Sequence, residues 1–228
     1  VNMSENRDSG VFLVAASVVS VVLSYIPFAG FLVYPFKLFV TFIHEGGHAL
    51  VTLLTFGSVQ GIAINLDTSG TTQSIGGISL LISSAGYLTS TIYGALLLLA
   101  ARSASLVKAG LALSALAVLA LTLFFVTGFF GWLTGIGIAT ILVISSAVLG
   151  TRAAHFFLSF LAVQCCLNAI YDLRTLFVIS AISGQPSDAM NMQRLTLIPA
   201  VFWALAWMLI SLVILWVALR GYFRAAKK

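Results

Sequence analysis

FIHEGGHALV, residues 42–51, sets two histidines and a glutamate into an otherwise apolar run. The rest of the chain decides what kind of fold can hold it. Of the 228 residues, 61% are hydrophobic and only 7% carry a charge. A soluble domain needs more polar residues than that to cover its surface, so the chain reads as an integral membrane protein. An ionisable side chain at the centre of a bilayer costs about 3 kcal/mol or more. Three of them together point to function rather than to packing.

A spanning helix needs about 20 mainly apolar residues. Outward from the motif, the candidates are residues 11–34, with Pro27 kinking or ending the span, and 35–56, which carries the motif. Then come 76–101, 109–126, a Gly-rich 129–149, a long 153–182 and finally 196–219. The expected fold is an all-α polytopic membrane protein with six or seven transmembrane helices. It forms a single domain over residues 1–228, with a polar stub at 1–10 and a basic tail at 220–228. The stub lacks the pattern of a cleaved signal peptide, so the first span is expected to be retained. Small residues in SSAGYLTS, residues 83–90, allow close helix packing.

The formal charge of +5 is not a nucleic-acid signature, because the basic residues do not gather on one face. They sit in short gaps between apolar runs and at Arg220, Arg224, Lys227 and Lys228. With seven spans and the N-terminus outside, Lys37, Arg102, Lys108, Arg152 and the tail all fall on the cytoplasmic side. Only Arg7 and Arg194 then flank the outer ends, as the positive-inside rule asks. The two cysteines, Cys165 and Cys166, are adjacent in an apolar run and read as buried structural thiols.

One segment departs from the helical pattern. VQGIAINLDTSGTTQSI, residues 59–75, alternates Ile62, Ile64 and Leu66, then offers a turn-like DTSG and a Thr-rich return. Period-two alternation beside such turn residues predicts a β-hairpin after the second span. It is either an extracytoplasmic loop or a re-entrant sheet buried in protein, since bare backbone cannot face lipid. A buried hairpin offers its edge at residues 62–66 to an extended peptide by strand addition.

His44 and His48 are four residues apart, so on a helix they share one face and can bind one ion. Glu45 lies beside that face, placed to act as general base towards a water on the metal. This is the H-E-x-x-H arrangement of zinc peptidases. The competing reading is a set of hydrogen-bonded groups joining helices. Gly46 and Gly47 weaken the helix by roughly 1 kcal/mol each but let another backbone approach closely.

A catalytic zinc site needs a third protein ligand and an open fourth position. His155, Asp67, Asp172 and Asp188 are available. Asp67 is ordinary turn chemistry, His155 suits a membrane boundary, and Asp188 in GQPSDAMNM resembles a helix N-cap or loop residue. Asp172 lies inside a long apolar span, with Asn168 one turn before it on the same face. An ion pair with Arg174 is the alternative, but residues two apart on a helix do not face each other. Asp172 is the preferred third ligand, with His155 and Asp188 left open.

Taken together, HEGGH, SSAGYL (83–88), NAIYDLRTLF (168–177) and GQPSDAMNMQRLTLIPAVFWALAW (184–207) resemble the site-2 protease family of intramembrane zinc metallopeptidases. The compact bacterial B-like branch is the nearer likeness, over about residues 36–216. The resemblance implies one zinc held by His44, His48 and Asp172, with Glu45 as catalytic base. It implies that Asn168 helps position substrate and that the hairpin, with Ile62, Ile64 and Leu66, pairs with it. The substrate would be a membrane-spanning protein or peptide in the lipid bilayer, with no nucleic acid involved. The location would be a bacterial inner membrane, N-terminus outside and C-terminus cytoplasmic. NAIYDL lacks the proline and the Asp-Gly step of better-known members. The span boundaries also set His44 and Asp172 at depths differing by roughly 10 Å or more, which asks for a broken or late-starting sixth helix. Two other classes compete: a non-proteolytic membrane protein with a structural or sensory zinc, and a transporter. An intact Glu45 counts against the first and the lack of an internal repeat against the second.

Overall fold

The computed structural model describes the backbone of residues 3–26, 30–182 and 187–225, and their side chains except at 3–9, 24, 25, 104, 168–182, 224 and 225. The described elements run α1 (Met3–Tyr25), α2 (Gly30–Leu54), β1 (Ser58–Ile64), β2 (Gly70–Ile75), α3 (Ser79–Ala100), α4 (Ala104–Phe124) and β3 (Val126–Thr127). They continue with α5 (Phe129–Val148), α6 (Thr151–Ile182), α7 (Asp188–Thr196) and α8 (Ala200–Ala225). The fold is mostly helical with one small sheet, rather than purely α.

Among the described residues, four helices are long and apolar enough to cross a membrane: Ser79–Ala100, Ser105–Phe124, Phe129–Val148 and Ala200–Phe223. Gly10–Leu23 and Thr151–Leu167 are shorter apolar helices. Six or seven spans were expected; length and composition together support four. The seventh expected span, 196–219, is α8, which begins four residues later than expected: α7 ends at Thr196 and α8 begins at Ala200. Leu197 takes a left-handed conformation there (φ 63°), and Pro199 has no N–H to continue a helix.

Helix α3 lies at the centre, packed against α2, α6 and α8, while α4 and α5 form an antiparallel pair. The main core joins Phe39 and Phe42 of α2, Leu97 and Leu98 of α3, Leu111 and Val118 of α4, and Leu158 and Leu161 of α6. Small residues make these approaches possible. A Cβ on Gly94 would stand 2.9 Å from both Cys165 Cβ and Cys166 Sγ, so α3 and α6 meet there at backbone distance. Both cysteines are free and Cys165 is buried, the packing role expected of them. Leu113, Leu116, Ile141, Ile144, Leu209 and Val213 point outward, as lipid-facing side chains do.

The hairpin forms as its pattern predicts, with β1 and β2 antiparallel and Ile62 opposite Thr72. Its turn is closed by Asn65 N–H to Ser69 O (2.9 Å), and Asp67 Oδ1 accepts from Ser69 N (3.0 Å) and Oγ (2.6 Å). Those bonds hold the exposed Asp67 carboxyl below its ordinary range, so Asp67 is turn chemistry. The hairpin doubles back along α2. Tyr34 donates its hydroxyl to Leu66 O (2.7 Å) and Thr41 donates to Thr68 O (2.6 Å).

The strand order is β2-β1-β3, with β3 parallel to β1 and Val126 opposite Ile62. The pairing edge expected at Ile62, Ile64 and Leu66 is therefore not open. Ile62 is bonded on both sides, the side chains of Ile62 and Ile64 are buried in the core, and Leu66 lies in the turn beyond β1. Among the described residues the outer strands are β2 and the two-residue β3.

Candidate metal centre

His44, Glu45 and His48 lie in the second half of α2, where the four-residue spacing puts both imidazoles on one side. His48 Nδ1 is 2.7 Å from Ile82 O, so it carries the proton and donates to that carbonyl. Its Nε2 lone pair is left pointing into the site, the orientation an outer hydrogen bond gives to a ligating histidine. The His44 ring lies edge-on to Tyr87 at 4.9 Å, and Tyr87 stacks on Trp207 of α8 at 5.1 Å. Helix α3 comes close because residue 86 has no side chain. A Cβ there would stand 2.5 Å from His44 Cε1 and 2.6 Å from His48 Nε2.

Asp188 completes the group. His44 Nε2 and His48 Nε2 are 3.1 Å apart, and Asp188 Oδ2 is 3.2 Å from the first and 3.3 Å from the second. With both Nε2 atoms unprotonated, their lone pairs and the carboxylate oxygen converge at a spacing that suits a cation. With bonds of about 2.0–2.1 Å and tetrahedral angles, the ligand atoms of a zinc ion stand roughly 3.3 Å apart. Two nitrogens and one oxygen on such a triangle fit that ion as three protein ligands.

Helix α7 delivers Asp188. Ser187 caps it, its hydroxyl accepting from Met190 N (3.3 Å), so Asp188 is the first helical residue and its carboxylate is free to face the histidines. Ala189 and Met192 are buried in a second small core with Tyr87, Ala204 and Trp207. Gln193 Oε1 accepts from Ala200 N (2.8 Å), tying α7 to the start of α8.

The expected third ligand, Asp172, lies on α6, which is continuous from Thr151 to Ile182. Its side chain, and that of Asn168, fall outside the described residues. His155 is buried 54 residues along the chain from Ala101, with Nδ1 3.1 Å from Ala101 O, and is not part of the group. Among the described residues, His44, His48 and Asp188 are the cluster able to hold a metal ion. In the sequence, Asp188 stood open beside His155 as an alternative to Asp172. Sequence reasoning passed over Gly86, Thr72 and Asn191, whose signal is contact across elements rather than any local pattern.

A cleft of about 280 Å³ opens on this group, lined by His44, Glu45, His48, Gly70, Thr71, Thr72, Tyr87, Ser187, Asp188 and Asn191. Glu45 is buried beside it, with Thr72 Oγ1 at 2.7 Å from its Oε2. A second polar cleft of about 200 Å³, bordered by Lys37, Thr41, Thr68 and Ser69, also reaches Glu45.

Fold and site together define a helical, membrane-type protein with a triad able to hold a metal ion and a carboxylate sharing one cleft. The chain belongs to the Peptidase M50B-like family, whose model matches residues 12–218. That membership bears out the resemblance to the site-2 protease family and places the chain among metallopeptidases. No curated protein and no solved structure matches it.

Proposed function

We propose that the protein is a zinc-dependent intramembrane endopeptidase that hydrolyses peptide bonds of membrane-embedded substrates. The observation that carries this reading is the triangle of His44 Nε2, His48 Nε2 and Asp188 Oδ2, with edges of 3.1–3.3 Å, in the cleft that also holds Glu45. His44, His48 and Asp188 would hold the ion. Zinc bound there supplies a Lewis acid and lowers the pKa of a water towards neutrality. Glu45 takes the proton of the attacking water and returns it to the leaving amine. The Ile82 carbonyl and the edge of Tyr87 keep the two imidazoles in register for the metal.

Substrate backbone enters extended and pairs with the outer edge of β2, whose Gly70–Thr72 end borders the cleft. The edge intended for substrate is thus the returning strand, not the one carrying Ile62 and Ile64. A structural zinc site would be closed, and an open 280 Å³ cleft beside a buried carboxylate favours chemistry.

Purified protein is expected to contain about one zinc per chain by elemental analysis. Glu45→Gln should keep that zinc and lose cleavage of reconstituted single-span peptides. Metal-free protein with an intact fold, or a fully active Glu45→Gln, would overturn the reading.

A further inference from the structure

We propose that β2 positions the general base: Thr72 is a positioning residue that holds Glu45 by Oε2, and Oε1 is the oxygen that carries the proton. The inference rests on the peptidase reading above. Thr72 Oγ1 stands 2.7 Å from Glu45 Oε2 and 3.0 Å from the Glu45 carbonyl oxygen. One hydroxyl proton cannot serve both well, and the shorter contact, to the carboxylate, takes it. Among the described residues, that leaves Oε1 as the oxygen without a hydrogen bond from Thr72.

Gly70 explains how β2 comes close enough to hold the carboxylate. A Cβ at residue 70 would stand 2.6 Å from Glu45 Cγ, 2.6 Å from Oε1 and 2.8 Å from Thr41 Cγ2. The backbone of β2 therefore lies directly on the carboxylate, and any side chain at residue 70 would displace it. The strand itself is firmly placed. Thr72 pairs with Ile62, a fully buried residue also paired with Val126, so the hydroxyl is carried by a three-stranded sheet rather than a loop. A site group held by regular structure is set more accurately than one held by a loop. In the proton transfer, Oε1 accepts a proton from water as the water oxygen bonds to the peptide carbonyl carbon. The same proton passes to the amine nitrogen as the C–N bond breaks. Because β2 also offers the edge for the substrate, one strand sets both the peptide and the base.

The test compares Thr72→Val, Thr72→Ala, Thr72→Ser and Gly70→Ala with the native chain. A pool of single-span peptides in liposomes, read by mass spectrometry, supplies the fastest-cut member for kcat and KM. Acetohydroxamate binding to cobalt-loaded protein, followed by visible absorption, reads the site without any peptide. Thr72→Val and Thr72→Ala are expected to lower kcat and hydroxamate affinity by on the order of tenfold, with metal content and KM kept. Thr72→Ser, which retains the hydroxyl, should recover most of the loss. Gly70→Ala should lower kcat with the hydroxyl in place. Native kcat and hydroxamate affinity in Thr72→Val and Thr72→Ala overturn the proposal, as does a serine variant as impaired as the valine. An active Glu45→Gln, or a native chain that cuts no peptide, fails the peptidase reading instead. In the latter case the hydroxamate series still decides whether Thr72 sets the site.

Discussion

His44 and Asp188 are 144 residues apart in the chain, yet their ligand atoms stand 3.2 Å from each other. His44, Glu45 and His48 were legible because helical spacing is a local property that a short stretch carries in full. The third ligand is not local, and two aspartates competed for it. Asp172 drew attention because a carboxylate inside an apolar span is costly. Asp188 looked like a cap, and the structure shows why that likeness was one residue off: Ser187 is the cap, and Asp188 follows it with its carboxylate free. Removing a ligand should weaken the metal at least as much as removing an outer partner, which is worth about 10–100-fold. Asp188→Ala is therefore expected to lower zinc affinity on the order of a hundredfold or more, while Asp172→Asn keeps it. Zinc titration against a competing chelator measures both variants, and the reverse order would restore Asp172 as the ligand.

At the scale of elements, the hairpin was readable and its place in the sheet was not. Alternation of Ile62 and Ile64 with a DTSG turn is enough to specify two strands. The third strand, Val126–Thr127, is only two residues long, too short to leave a pattern, and it is what turns β1 into the inner strand. Helix α7 was hidden for a different reason. Its apolar positions are few, and it runs through Leu197 and Pro199 into a helix hydrophobic enough to dominate the reading. Two side-chain bonds to backbone carbonyls, from Tyr34 and Thr41, fix the hairpin turn along α2. Each is worth about 1 kcal/mol, so losing both should let the turn open more often by on the order of tenfold or more. Tyr34→Phe with Thr41→Val is expected to speed amide exchange at residues 65–69, measured by mass spectrometry. Turnover should fall with zinc content unchanged, because the ligands lie elsewhere. Unaltered exchange would show that strand pairing alone holds the turn.

Contacts between helices fix their relative directions across the whole molecule. Tyr87 stacks on Trp207, and four residues further along both helices Thr91 Oγ1 meets Ser211 Oγ at 2.9 Å. Helices α3 and α8 therefore run parallel and end on the same side. His155, near the start of α6, bonds Ala101 at the end of α3, so α6 begins on that side too. Arg102, Lys108, Arg152 and Arg220 all gather there, with Arg220 lying over the Trp216 ring at 3.8 Å. By the positive-inside rule, that side is expected to face the cytoplasm. Gly86, which faces both histidines, is seven residues from the start of α3, so the site lies about 10 Å in from the opposite end of that helix. At that depth only a cleft lined with polar groups can admit water, and the two clefts meeting at Glu45 supply it. The orientation has a direct check in a chain whose Cys165 and Cys166 are replaced by alanine. Cysteines introduced at Ser103 and Thr151 should react with a membrane-impermeant maleimide only in inside-out vesicles. Cysteines at Phe129 and Ile198, at the opposite helix ends, should react only from outside intact cells. Labelling of residues 103 and 129 from the same side would contradict α4 as a full crossing, and a complete reversal would place the basic ends outside.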